Sequence, residues 1–156
     1  MKILIAPLNW GLGHATRCIP IIRQYLDQGD EVVLGGDGDS LLLLHRTFPK
    51  LRVINFPSLE LCYDEDAKQR KFYWRSIPIL LRSAIADHYY LRQTLAIEQF
   101  DLVISDNRFG FFSKDVHCVY ITHQLYPILP KHLFLFQPLV RWLHARVYNR
   151  YDEVWV

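Results

Sequence analysis

What this chain lacks narrows its reading first. No apolar run approaches the ~20 residues that a membrane-spanning helix needs, so any meeting with a bilayer is from the side. The three cysteines, Cys18, Cys62 and Cys118, are odd in number and form no C-x-x-C pair. They read as reduced thiols of a cytoplasmic protein rather than a disulfide framework. His45, His88, His117, His132 and His144 show no metal-ligand spacing and read as structural, and no metal site is expected. There is no internal repeat, low-complexity tract or interdomain linker. A net charge of +2 is too small to imply nucleic acid. Met1-Lys2 leads straight into an apolar strand, with no room for a signal peptide.

What is present suits one folded domain. The 156 residues are 51% hydrophobic and 22% charged, which argues against disorder. A chain of this size buries roughly 70% of its unfolded surface. Residues 2–6 form an uninterrupted apolar strand, as expected when helices cover both faces of a sheet. A helix follows from His14 to Gln28, with Cys18, Ile22, Tyr25 and Leu26 as its inward stripe and Gly29 as its stop. Strands at 31–34 and 51–56 flank a Gly35–Gly38 loop and a short helix over 41–48, capped by Asp39 or Ser40 and ended by Pro49. This β-α-β-α-β rhythm predicts an α/β fold, a Rossmann-like doubly wound parallel sheet in a three-layer α/β/α arrangement.

Residues 57–71 read as irregular. A long helix is predicted at 72–98, where Trp74, Ile77, Leu81, Ala84, Ile85, His88, Leu91 and Leu95 recur every three or four residues, with Pro78 starting or kinking it. Strands at 101–105 and 116–122, a helix at 132–149 and a strand at 153–156 complete the chain. An end inside an apolar strand suggests the amino-terminal part of a longer protein, either an excised piece or a split gene product.

The chemistry concentrates in Asn9 to Arg17, reading N-W-G-L-G-H-A-T-R between the first strand and the first helix. Gly11 and Gly13 let a ligand approach backbone amides at a helix start. Gly11-x-Gly13-x-x-Thr16 is an imperfect dinucleotide fingerprint, because Thr replaces the third small residue; Asp37 would be its ribose-binding acid. A bare strand-to-helix turn is the plainer alternative. His14 sits where the positive end of the helix dipole disfavours an imidazolium, which suits a general base; helix capping or anion binding is the alternative. A 3-2-1-4-5-6 sheet would bring Asp106, after the fourth strand, to the same switch point. A carboxylate on one ring nitrogen fixes the tautomer and frees the other, although Asp106 also suits a turn cap. Asn107, Arg108 and His123 share that rim, with Arg108 either binding an anionic group or lying solvated.

Basic charge is clustered. Residues 67–93 hold Lys68, Arg70, Lys71, Arg75, Arg82 and Arg92 against Asp87, and residues 126–150 hold Lys131, Arg141, Arg146 and Arg150 against no acid. Phe72, Tyr73, Trp74, Phe134, Leu135, Phe136 and Trp142 lie among them. The pattern suits an anionic membrane surface. It equally suits core residues with solvated basic faces.

The stretch from Met1 to Arg17, with Gln28 to Val33, Ile104-Ser105-Asp106 and Tyr151 to Val156, resembles the amino-terminal half of GT-B glycosyltransferases. It is most similar to the branch that includes the peptidoglycan N-acetylglucosaminyltransferase. The resemblance covers the first 35 residues well and the rest loosely. It implies an acceptor-binding domain, with the donor-binding domain supplied in cis or in trans. His14 would act as base on the acceptor hydroxyl or help hold the acceptor, with Asp106 orienting it. Asn9, Trp10, Gly11, Gly13, Thr16, Asn107, Arg108 and His123 would contact a sugar or lipid-linked acceptor. A nucleotide sugar would be the co-substrate with no further cofactor, its phosphates held by the other half rather than by a metal. This chain departs from the branch at Asn9-Trp10 and lacks its second glycine loop after the fourth strand, so the lipid diphosphate acceptor is not carried over. A dinucleotide-binding module and a non-catalytic subunit of a split transferase are the rival readings.

Overall fold

The computed structural model describes residues 1–58, 69–125, 129 and 131–156, the side chains of 69–77, 131 and 132 excepted. Cys62, the acidic run Asp64 to Asp66, Lys68, Pro127 and Pro130 thus lie outside the described residues, as do the side chains of Arg70, Lys71, Phe72, Tyr73, Trp74, Arg75, Ile77, Lys131 and His132.

Six parallel strands, β1 (Lys2–Pro7), β2 (Glu31–Gly36), β3 (Arg52–Asn55), β4 (Leu102–Asp106), β5 (His117–Ile121) and β6 (Glu153–Trp155), form one sheet in the order 3-2-1-4-5-6. Among the described residues four helices, α1 (Leu12–Asp27), α2 (Gly38–Thr47), α3 (Gln69–Ile97) and α4 (Gln137–Tyr148), lie in the crossovers, and β4 passes to β5 without one. The alternation of β1 side chains divides the core. Ile3 and Ile5 pack with Ala15, Cys18, Ile22 and Leu44 from α1 and α2. Leu4 and Ala6 pack on the other face with Leu91, Phe111 and Tyr148, contributed by α3, the turn after β4 and α4. Each fully buried Leu or Ile contributes about 1.5–3 kcal/mol.

Several boundaries differ from the sequence expectations for local reasons. Helix α1 begins at Leu12, two residues early, because Gly11 occupies the N-cap position with φ 75°, a value that favours glycine. Gly35 and Gly36, expected in a loop, finish β2 and pair with Ile54 and Asn55. A Cβ on Gly35 would stand 2.7 Å from the Phe56 ring, so the missing side chain seats that ring. Asp37, rather than Asp39 or Ser40, is the N-cap residue of α2. Helix α3 contains Pro78. Of its predicted inward stripe, Leu91 is buried, but Leu81 and Ile85 are exposed, and Asp87 and Thr94 are buried instead. Gly110 lets α3 lie directly on the turn after β4, since a Cβ there would meet Ala84 O at 1.9 Å. The predicted helix at 132–149 is a 3₁₀ segment, Lys131–Phe136, followed by α4.

His144 on α4 lies half-buried against Phe109, 5.9 Å between ring centroids, with Nδ1 3.1 Å from Tyr148 Oη. Burial lowers its pKa below the ordinary 6.5. The unfolded chain then takes up a proton that the fold refuses, so His144 subtracts stability as pH falls below about 6.5. Urea unfolding at pH 7.5 and 5.5 should show a smaller drop for His144→Gln than for the parent; equal drops would discount this source of acid sensitivity.

Candidate active site

The carboxyl ends of β1 and β4 lie side by side. Pro7 is in register with Asp106, and the Leu8 N–H donates to Asp106 O at 2.9 Å. From β1 the chain passes through Asn9-Trp10-Gly11 into α1, whose N-cap carries no side-chain hydrogen bond. The loop is clasped to α2: Ser40 N–H donates to Asn9 Oδ1 at 3.2 Å, and Ser40 Oγ lies 3.3 Å from both Leu8 O and Gly11 O. Above the loop the space is open, because a Cβ on Gly11 or Gly13 would meet nothing within 4 Å. Trp10 is exposed beside a cleft of about 20 Å³ that it shares with Leu8, Ser83, Asp87 and Asn107. Thr16, also exposed, bonds back to Gly13 O at 2.9 Å.

His14 and Asp106, 92 residues apart in sequence, meet here with Nδ1 2.9 Å from Oδ1. Asp106 is fully buried and the His14 side chain is 12% exposed. A third residue, absent from the sequence-based site, joins them. Arg17 donates Nε–H to Asp106 Oδ2 at 3.0 Å and Nη2–H to Oδ1, with Nη2 3.1 Å from His14 Nδ1. Its signal was legible: Arg17 stands three residues after His14, on the same helix face. His123 is exposed beyond β5, its ring centroid 6.4 Å from that of His14.

The turn after β4 holds Asp106 in place. Asn107 adopts φ 58° and donates its N–H to Ile121 O at 3.1 Å. Tyr120 Oη donates to Asn107 Oδ1 at 3.1 Å, while Tyr151 Oη and Ser105 Oγ donate to Arg108 O at 2.7 and 2.8 Å. Burial raises the Tyr120 and Tyr151 phenols well above their ordinary range, so both remain protonated donors. Cys18, 3.9 Å from Asp106 Oδ2, is likewise held as the thiol by burial first and by the Asp106 charge second.

Arg108 departs from its expected place on the rim. It is fully buried, donating Nε–H and Nη2–H to Asp87 Oδ1 at 3.1 and 2.5 Å and Nη2–H to Phe56 O at 3.2 Å. Its guanidinium also lies 4.8 Å from the Phe111 ring centroid. It therefore anchors α3 rather than offering charge to a ligand. Asp37, the candidate ribose acid, accepts hydrogen bonds from Ser58 N–H at 2.5 Å and Oγ at 2.7 Å. Among the described residues no group of three or more His, Cys, Asp or Glu side chains is placed to hold a metal ion.

A parallel sheet with a glycine loop, a His–Asp pair and an open helix start at its switch point is a Rossmann-like arrangement. No family model and no curated protein matches the chain. Solved structures do. The glycotransferase of kitacinnamycin aligns over 97% of this chain and 38% of its own, with 17% identity and TM-score 0.62. CalG4, the calicheamicin glycosyltransferase, aligns over 95% and 41%, with 17% identity and TM-score 0.62. SnogD from Streptomyces nogalater aligns over 96% and 41%, with 19% identity and TM-score 0.53. The chain has the Rossmann-like fold of the amino-terminal half of these GT-B glycosyltransferases, and it spans about two-fifths of their length.

Proposed function

We propose that this chain is the acceptor-binding domain of a glycosyltransferase that moves a sugar from a nucleotide-sugar donor to an acceptor hydroxyl. The observation that carries the reading is the His14–Asp106 contact of 2.9 Å at the ends of adjacent central strands, on a fold shared with glycosyltransferases. Asp106 accepts the Nδ1 proton of His14, which leaves the Nε2 lone pair for the acceptor hydroxyl. As the acceptor oxygen bonds to the anomeric carbon, its proton passes to Nε2. The bond from that carbon to the nucleotide diphosphate breaks, and the diphosphate keeps the electron pair. Trp10, exposed beside the loop, offers a face for a sugar ring, and the first amides of α1 suit a sugar or phosphate oxygen. Asn107 and His123 complete the acceptor rim, while Asn9 and Thr16 hold the loop's shape.

The donor half would be contributed in cis or in trans. Titration of the isolated chain with nucleotide sugars should give weak heats and no transfer, with turnover appearing once a donor-binding half is supplied. Robust turnover by these 156 residues alone would overturn the two-domain reading. Tight calorimetric binding of NAD(P) would favour the dinucleotide module instead. Thr16 and the engagement of Asp37 by Ser58 speak against that rival.

The site's setting would be the cytoplasmic face of a membrane. No helix among the described residues is long and apolar enough to cross one. Phe134, Leu135, Phe136, Leu139, Trp142 and Leu143 are exposed, Leu135 at 93%. They lie in a stretch with four basic residues and no acid, and Arg146 stacks on Trp142 at 4.4 Å. Exposed apolar side chains with basic neighbours suit an anionic surface, at about 1 kcal/mol per basic residue near it. Sedimentation with phosphatidylglycerol vesicles should pull down the chain in low salt, and Leu135→Asp should reduce the bound fraction. Equal retention by purely zwitterionic vesicles would remove the electrostatic part of this reading.

A further inference from the structure

The geometry points to Arg17 as the residue that keeps His14 available as a base, by supplying the single positive charge that buried Asp106 requires. This rests on the reading of His14 as base, but its physical core is a count of charges. Asp106 is fully buried, and a buried carboxylate demands a compensating cation. Two groups could provide it, the Arg17 guanidinium and a protonated His14 ring, and both reach Oδ1. Arg17 holds the carboxylate through both oxygens and keeps its charge at all physiological pH.

With that place taken, a second cation on His14 would stand 3.1 Å from Nη2 with no charge left to balance it. Two like charges so close inside a protein repel strongly. Arg17 Nη2 also stands 3.1 Å from Nδ1, but it already donates to Oδ1; the shorter 2.9 Å contact of Nδ1 with Oδ1 favours the ring proton on Nδ1, which leaves Nε2 unprotonated. Among the described residues the neighbouring titratable groups leave the count unchanged. Cys18 on α1 stays a neutral thiol, and His123 beyond β5 is exposed to water with its ring 6.4 Å away. Arg17 is thus a positioning residue that acts through Asp106 and His14. Without it, the ring is the one group among the described residues left in contact with the buried carboxylate that can become a cation, and it is held protonated and useless as a base.

The test reads the ring itself. The chain is labelled with ¹⁵N-histidine, and long-range ¹H–¹⁵N correlations are recorded at neutral pH. In the parent chain His14 should show the neutral Nδ1–H tautomer. In Arg17→Met its two nitrogens should converge on the doubly protonated signature. Arg17→Lys, which restores a charge, and Arg17→Met/Asp106→Asn, which removes the demand for one, should both return a neutral ring. A neutral Nδ1–H ring in Arg17→Met overturns the inference. Should that variant unfold, Arg17→Gln, which keeps a donor but no charge, carries the same expectation. In a catalytically complete enzyme Arg17→Met should lower kcat at neutral pH roughly tenfold or more, with the acceptor KM little changed. Because the spectra need no substrate, a parent-like ring in Arg17→Met defeats the charge count. Unchanged turnover in His14→Ala defeats the base assignment separately.

Discussion

Replacing His14 by alanine in a catalytically complete enzyme is expected to lower turnover by about 10²–10⁴-fold, the usual contribution of a positioned general base. Asp106→Asn should produce a loss of its own, because the amide can present a donor to Nδ1 and so invert the tautomer. If the two side chains act as a unit, the double variant loses far less than the product of the single losses. The measurement is kcat and kcat/KM for parent, singles and double under one set of conditions. The expected loss lies mainly in kcat, since the proton leaves the acceptor oxygen only as the new bond forms. Near-normal turnover in His14→Ala would remove His14 from the chemistry and leave the loop as a binding element.

The second large effect concerns stability. Asp87→Ala should cost about 3–5 kcal/mol, because it strands a buried guanidinium. The apolar pair Asp87→Leu/Arg108→Met should recover most of that loss, which urea unfolding of the parent and both variants would measure. A small cost in Asp87→Ala would mean that Arg108 finds another partner. The pair also carries a pH signature. Burial raises the Asp87 carboxyl above its ordinary 3.8, and the Arg108 charge opposes this without cancelling it. The folded chain therefore holds that proton more tightly than the unfolded one. Stability from this group is greatest below the ordinary value and declines as pH climbs from 3.8 through the raised value. Asp87→Asn should lack that decline.

The sheet was legible because its signals are local. Apolar strands and helical stripes alternate along the chain, and a right-handed crossover rule orders them. The pairing of His14 with Asp106 followed from that order. Arg108 was misplaced because its partner stands 21 residues away on another element, and nothing near Arg108 marks it as buried. The same holds for Leu81 and Ile85, whose spacing suits a buried stripe although α3 turns Asp87 and Thr94 inward. Arg17 is the opposite case: its place one helical turn from His14 was plain, and only the depth of the Asp106 carboxylate gave it meaning. The glycines at 35 and 36 read as a turn by composition, whereas pairing with Ile54 and Asn55 makes them strand, with the Phe56 ring seated on Gly35.

The tie from Tyr151 Oη to Arg108 O, 43 residues apart, bears on the order in which the site comes into being. On a ribosome His14 emerges early, on a helix behind a strand that will end up in the middle of the sheet. Its carboxylate partner follows 92 residues later, and the clasp on the turn bearing that carboxylate arrives almost at the end of the described chain. A nascent chain stalled before Tyr151 should therefore hold its first crossover while the turn after β4 has its ties to Ser105, Tyr120 and Ile121 but not yet the one from Tyr151. The turn that bears Asp106 would thus receive its Tyr151 clasp well after His14 and Asp106 have both been made.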